Sequence, residues 1–137
     1  MSLVRLLLAG AAGGFVWIFT SWLIIGALFH RYQRLTPETW RPEGPTQYAL
    51  SSLVLVLGGA GTGLLYFLVG GLANLSEVGW AGRGLLFGGA VWLGVAAPIH
   101  VITAIYVRLH RGHVAGALLD SLVGLLLVGG ACAFAAR

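Results

Sequence analysis

Lysine is absent from this chain, so all eight basic residues are arginine, and only four residues are acidic, Asp120 being the lone aspartate. Charged residues of every kind make up 9% of the sequence. A soluble domain carries roughly a quarter, which excludes water as the main solvent of this one. A single cysteine, Cys132, excludes an intrachain disulfide and is silent about redox compartment; it reads as a small apolar filler near a helix end. The net charge of +4 comes without a clustered basic face, because the arginines flank apolar runs. That pattern anchors a membrane protein and sets its topology, and no nucleic-acid partner is expected. There is no Ser/His/Asp order, no phosphate-cradling loop and no nucleotide motif. His110-x-x-His113, with His30 on the same side, lacks a carboxylate or thiolate to complete a metal set. The expectation is a protein that is not an enzyme, with no metal and no cofactor.

What the chain does have is apolar length. Hydrophobic residues make up 58% of it, and the mean hydropathy is +0.93. Four stretches are free of arginine and glutamate: 6–29, 45–76, 84–107 and 114–136. Each reaches the roughly 20 residues needed to cross about 30 Å of hydrocarbon at 1.5 Å per residue. The first exceeds the 7–15 apolar residues of a signal core, so a retained helix is expected. The sequence predicts an all-α membrane protein of one domain, residues 1–137, with helices over about 3–29, 47–74, 84–108 and 113–136. Four crossings make an antiparallel bundle, with the lipid bilayer as first partner.

Glycine accounts for 22 residues, far above the usual ~7%. Gly10/Gly14, Gly59/Gly63, Gly84/Gly88 and Gly112/Gly116 are each spaced by four, one pair per helix. Such spacing lets helix backbones approach closely in lipid, where no hydrophobic force drives helices together. In the fourth helix Gly112, Gly116, Asp120 and Gly124 form one i, i+4 ridge. Gly/Ala-rich interfaces are therefore expected, between these helices or with neighbouring subunits.

Polar residues gather at one depth. His100 and Asp120 each fall about 10–12 Å inside the same membrane face. Thr20, Ser21, Thr103 and Ser121 lie in a similar layer, with Ser51 and Ser52 slightly shallower. A tight turn joins the third and fourth helices, which makes His100 and Asp120 candidates to touch. A mid-bilayer aspartate costs roughly 2.5–3.5 kcal/mol, and a histidine N–H would offset part of that. Pro98 frees the carbonyl of Gly94 and is expected to kink the third helix just before His100. This layer reads either as a polar lock on helix register or as a proton or cation relay. His100 also offers a single ligand to a pigment or haem, since Ala96-x-x-x-His100 resembles the ligand pattern of antenna polypeptides.

The first loop, residues 30–48, contains Thr36-Pro37-Glu38, a good start for one helical turn, with Trp40 and Tyr48 as headgroup-level anchors. Loops 1 and 3 hold five arginines against three on the other side, which favours them in the cytoplasm. "GGFVW" (13–17) recurs as "GGAVW" (88–92), an echo that would fit a parallel repeat of two helical hairpins. Across most of the chain, "GALFHRY", "WLGVAAP" and "LHRGHVAGALLDSLVGLLLVGGA" resemble an uncharacterised bacterial family of small four-helix integral membrane proteins, a domain of unknown function. That resemblance implies a four-helix fold in the bacterial inner membrane and no catalytic residues. The functional expectation is a non-catalytic accessory subunit of a membrane complex, or a homo-oligomer. The alternative is a proton-linked transporter or pore using His100 and Asp120.

Overall fold

A computed structural model describes residues 2–41, 43–69 and 77–137. It is helical, with no strand among the described residues. Four helices are long and apolar enough to cross a membrane: α1 (Leu3–Gln33), α2 (Pro45–Leu68), α3 (Trp80–Tyr106) and α4 (Arg111–Ala135). In hydrocarbon every backbone polar group must be satisfied within the segment, so apolar runs of this length form helices. The ends follow local chemistry. Pro45 opens α2 at the first helical position, where its missing N–H is not needed. His110 caps α4 by accepting the Gly112 N–H at its Nδ1, 3.0 Å away. The helices start and stop within a few residues of the expected bounds, with α1 running on to Gln33; the expectation for residues 70–74 lies outside the described residues.

Two helices widen locally. α1 is π-helical over Trp22–Phe29, with Gly26 at the middle, and α3 over Trp92–Ala96. The second widening ends two residues before Pro98, which has no N–H to offer the Gly94 carbonyl in an α-helical turn.

α1 packs against α2 and α4, and α4 packs against α3. The α1/α2 seam is backbone on backbone. A Cβ on Gly10 would strike the Gly59 carbonyl, one on Gly14 the Leu55 carbonyl, and one on Gly63 the Leu6 carbonyl. These contacts run in opposite order along the two helices. The α3/α4 seam is built alike, with Gly84 against Gly129 and Gly130, and Gly88 against Leu125. Gly112, Gly116 and Gly124 behave differently. Each receives an aromatic ring of α1, from Tyr32, Phe29 and Trp17 in turn.

Three levels stack along the molecule. At one end lies a buried core of Leu6, Tyr66, Phe87, Val128, Cys132 and Ala133, drawn from all four helices. The Tyr66 and Phe87 rings meet edge to face, with centroids 4.9 Å apart. Midway sits the polar group around Asp120. At the other end the loops are tied down: His30 lies 3.6 Å from Glu43, which also accepts the Tyr48 hydroxyl at 2.5 Å. Loop 1 is pinned to the α3–α4 turn by the Thr39 hydroxyl, which donates to the Arg108 carbonyl at 3.2 Å. The outer faces expose Phe15, Phe19, Trp22, Leu57, Leu93, Ile102 and Ile105. So much exposed apolar surface suits lipid or a partner helix rather than water.

Candidate functional site

The polar layer resolves into a clamp on α4. The Asp120 carboxylate uses both oxygens toward α1: Oδ1 accepts the Trp17 indole N–H at 3.1 Å and Oδ2 the Ser21 hydroxyl at 3.2 Å. Trp17 and Ser21 stand four residues apart, on one face of α1. The Trp17 ring lies over Gly124, in the space a side chain would fill. From the other side, the Trp92 indole of α3 donates to the Leu118 carbonyl at 3.0 Å and to Ser121 Oγ at 3.2 Å. Two indoles thus hold α4 at adjacent residues, one from each neighbouring helix. They are the final residues of "GGFVW" and "GGAVW", so the sequence echo corresponds to a repeated contact.

No hydrogen bond or ion pair joins His100 to Asp120 among the described residues. The expected contact is not made as a hydrogen bond, although His100 stays in electrostatic range of Asp120, and the reason is rotational. The ridge Gly112–Gly116–Asp120–Gly124 faces α1, while Ser121, Leu125 and Gly129 face α3. Neighbouring α3 through a tight turn therefore did not place Asp120 against it. Three hydroxyls of the layer serve their own helices: Thr20 donates to the Trp17 carbonyl, Thr103 to Ile99 and Ser121 to Leu118. Ser51 likewise donates to the Tyr48 carbonyl. Of the residues expected in the layer, Ser21 bonds Asp120 and Ser121 meets Trp92 on the opposite face; His100, in electrostatic range of Asp120, and Thr103 line the loop-end cleft.

Sequence reasoning missed Trp17 and Trp92. A tryptophan in mid-run rather than at the headgroup level was the available signal, because a buried indole N–H needs an acceptor.

His100 and Thr103 instead line an open cleft of about 310 Å³ with Thr39, Trp40, Val107, Leu109, His113, Val114 and Ala117. His113 is buried, and its Nδ1 has no hydrogen-bond partner among the described residues. Its ring meets the edge of Trp40, with centroids 4.4 Å apart at 68°. The other loop-end histidines have separate contacts: His30 faces Glu43, and His110 caps α4 while stacking on Tyr32 at 4.9 Å.

No family model matches the chain, and neither the curated proteins nor the solved structures contain a significant match.

The clamp makes a first prediction. Trp17→Phe keeps a ring over Gly124 but leaves Asp120 Oδ1 without its donor. The expected loss is about 1 kcal/mol, between the ~0.6 kcal/mol mean for membrane side-chain bonds and the roughly 1.5–3 kcal/mol of bonds to charged groups. Trp22→Phe, at a residue 71% exposed, is expected to change nothing. Thermal unfolding of both variants in one detergent checks the pair; equal melting temperatures would remove the clamp.

Proposed function

We propose that this chain is a non-catalytic, multi-pass membrane protein that works by packing, as an accessory subunit of a larger membrane complex or as a homo-oligomer. One observation carries the reading. Between α1 and α4, on the outer surface, runs a groove of about 510 Å³ whose floor is Ala9, Ala12, Gly130 and Ala131. Trp80, Leu126, Leu127 and Phe134 wall it. Among the described residues, nothing approaches the space where a Gly130 side chain would stand. A floor of small residues between large apolar walls suits the close approach of another helix in lipid. The clamp fits the same role, since it spends the Asp120 carboxylate on fixing α4 to α1.

The finer architecture belongs to this proposal: an antiparallel four-helix bundle with Gly/Ala-rich interfaces, in a bacterial inner membrane, with loops 1 and 3 cytoplasmic. The opposite order of the seam contacts and the arginine count support it. Kinship with the small four-helix family is proposed on its three motifs alone.

Cysteine cross-linking tests the groove. Cys132 is fully buried, so a thiol placed at Ala12 or Ala131 is the accessible one. Oxidation in native membranes is expected to join such a variant to itself, and a thiol- and photo-reactive linker to join it to another membrane polypeptide. Ala131→Trp, which fills the floor, is expected to abolish the adduct when the thiol sits at Ala12. Adducts no more abundant than those from a thiol at Leu53, on the exposed face of α2, would count against the groove.

A second reading, a proton-linked carrier for a small solute, draws on the open cleft that reaches His100. With four helices it needs two copies to enclose a path.

A further inference from the structure

The cleft at the loop end has a chemistry of its own, separate from the groove. Its walls come from three places: Thr39 and Trp40 of loop 1, His100, Thr103 and Val107 at the end of α3, and Leu109, His113, Val114 and Ala117 around the start of α4. They enclose about 310 Å³, the lower end of the range for ligand pockets, and one side is open. Most of the lining is apolar, with a few convergent polar groups, which is the usual make-up of a small-molecule site.

The polar groups define what fits. Among the described residues His113 Nδ1 is buried without a partner, and the ring lines the cleft, which leaves Nε2 as the nitrogen for a ligand. A buried N–H with no acceptor is costly, so the proton belongs on Nε2, and His113 presents a donor. His100 is half-buried and makes no hydrogen bond among the described residues, so its ring nitrogens are open to a ligand, in electrostatic range of His113 and Asp120. The Thr39 and Thr103 hydroxyls have already donated to carbonyls. Among the described residues, no carboxylate or guanidinium lines the cleft. An anionic or cationic ligand would therefore shed water without gaining a counter-charge, which is expensive, while a neutral acceptor would not. Trp40, edge-on to His113, supplies an aromatic wall for a flat ring.

We propose that this cleft binds a neutral, carbonyl-bearing ring on an apolar tail, the chemistry of a membrane quinone. A ring carbonyl accepts the His113 Nε2–H, His100 addresses the same ring, and the tail leaves through the open side into lipid.

The test uses the full-length protein in nanodiscs with decylubiquinone as probe, read by quenching of tryptophan fluorescence. Saturable quenching is expected, and Trp40→Phe removes a share of it. His113→Leu is expected to raise Kd about tenfold, the worth of one well-made hydrogen bond. His113→Gln, which keeps an N–H, stays within about threefold of wild type. Should His113→Leu fail to fold, His100→Leu, at a half-buried residue with no hydrogen bond to lose among the described residues, is expected to weaken binding severalfold. An unchanged Kd in either leucine variant overturns the proposal. So does quenching that rises linearly with quinone, as simple partitioning would. Saturable binding of oleate in place of the quinone would also overturn it, in favour of an anionic lipid.

Discussion

Gly59→Ala is expected to lose about 3 kcal/mol of stability, the upper end of what overpacking costs. The added methyl would strike the Gly10 carbonyl oxygen and come within 2.9 Å of the Gly14 Cα and nitrogen. All of these are backbone atoms of α1, so no side chain can rotate aside. The remaining response is separation of α1 from α2 along the seam, which forfeits dispersion contacts at Gly10, Gly14 and Gly63 together. Gly58→Ala, one residue away, meets open space. It is expected to be neutral or to stabilise by up to about 1 kcal/mol, the helix-propensity difference. Chemical or thermal unfolding of the two variants in one detergent makes the comparison, and equal effects would mean that the seam is not close-packed.

Asp120→Leu is expected to be about 1–3 kcal/mol less stable than Asp120→Asn. Both remove the charge, so the difference between them reads the hydrogen bonds, net of leucine's more favourable transfer into lipid. Asparagine keeps an oxygen for the Trp17 indole and an amide that can face Ser21. Leucine leaves the Trp17 N–H without an acceptor, whereas Ser21 can turn back to a carbonyl of its own helix. Against wild type the asparagine variant should be mild, because an uncharged amide is cheaper in lipid than a carboxylate. Oligomer size and proton flux in liposomes, measured alongside, separate the roles. Asparagine as disruptive as leucine would make the charge itself structural. Wild-type proton flux lost in both variants, with assembly intact, would favour the relay.

The four helices were legible because lipid imposes one rule on every residue of an apolar run. The four-residue glycine spacing marked Gly10, Gly14, Gly59 and Gly63 as points of close approach, but not which helix each would meet. The partner of Asp120 was not legible. Sequence spacing fixes which residues share a face of α4, but not which neighbour covers that face, and the tight α3–α4 turn leaves rotation about the α4 axis free. Aromatic rings of α1 filled the Gly112, Gly116 and Gly124 notches and claimed the ridge. The cleft was hidden for another reason: it exists because Thr39 and Trp40 fold back over α3 and α4, a contact more than sixty residues distant in sequence. Trp17 and Trp92 were half legible, as the ends of an echoed motif whose shared partner only the packed helices reveal.

Native mass spectrometry of the protein released with its own lipids asks most directly whether packing is what this protein does. The account predicts that the chain leaves the membrane bound to at least one further polypeptide, a second copy or another subunit, and that Ala131→Trp leaves alone. A wild-type chain released singly, carrying only lipid, would contradict it.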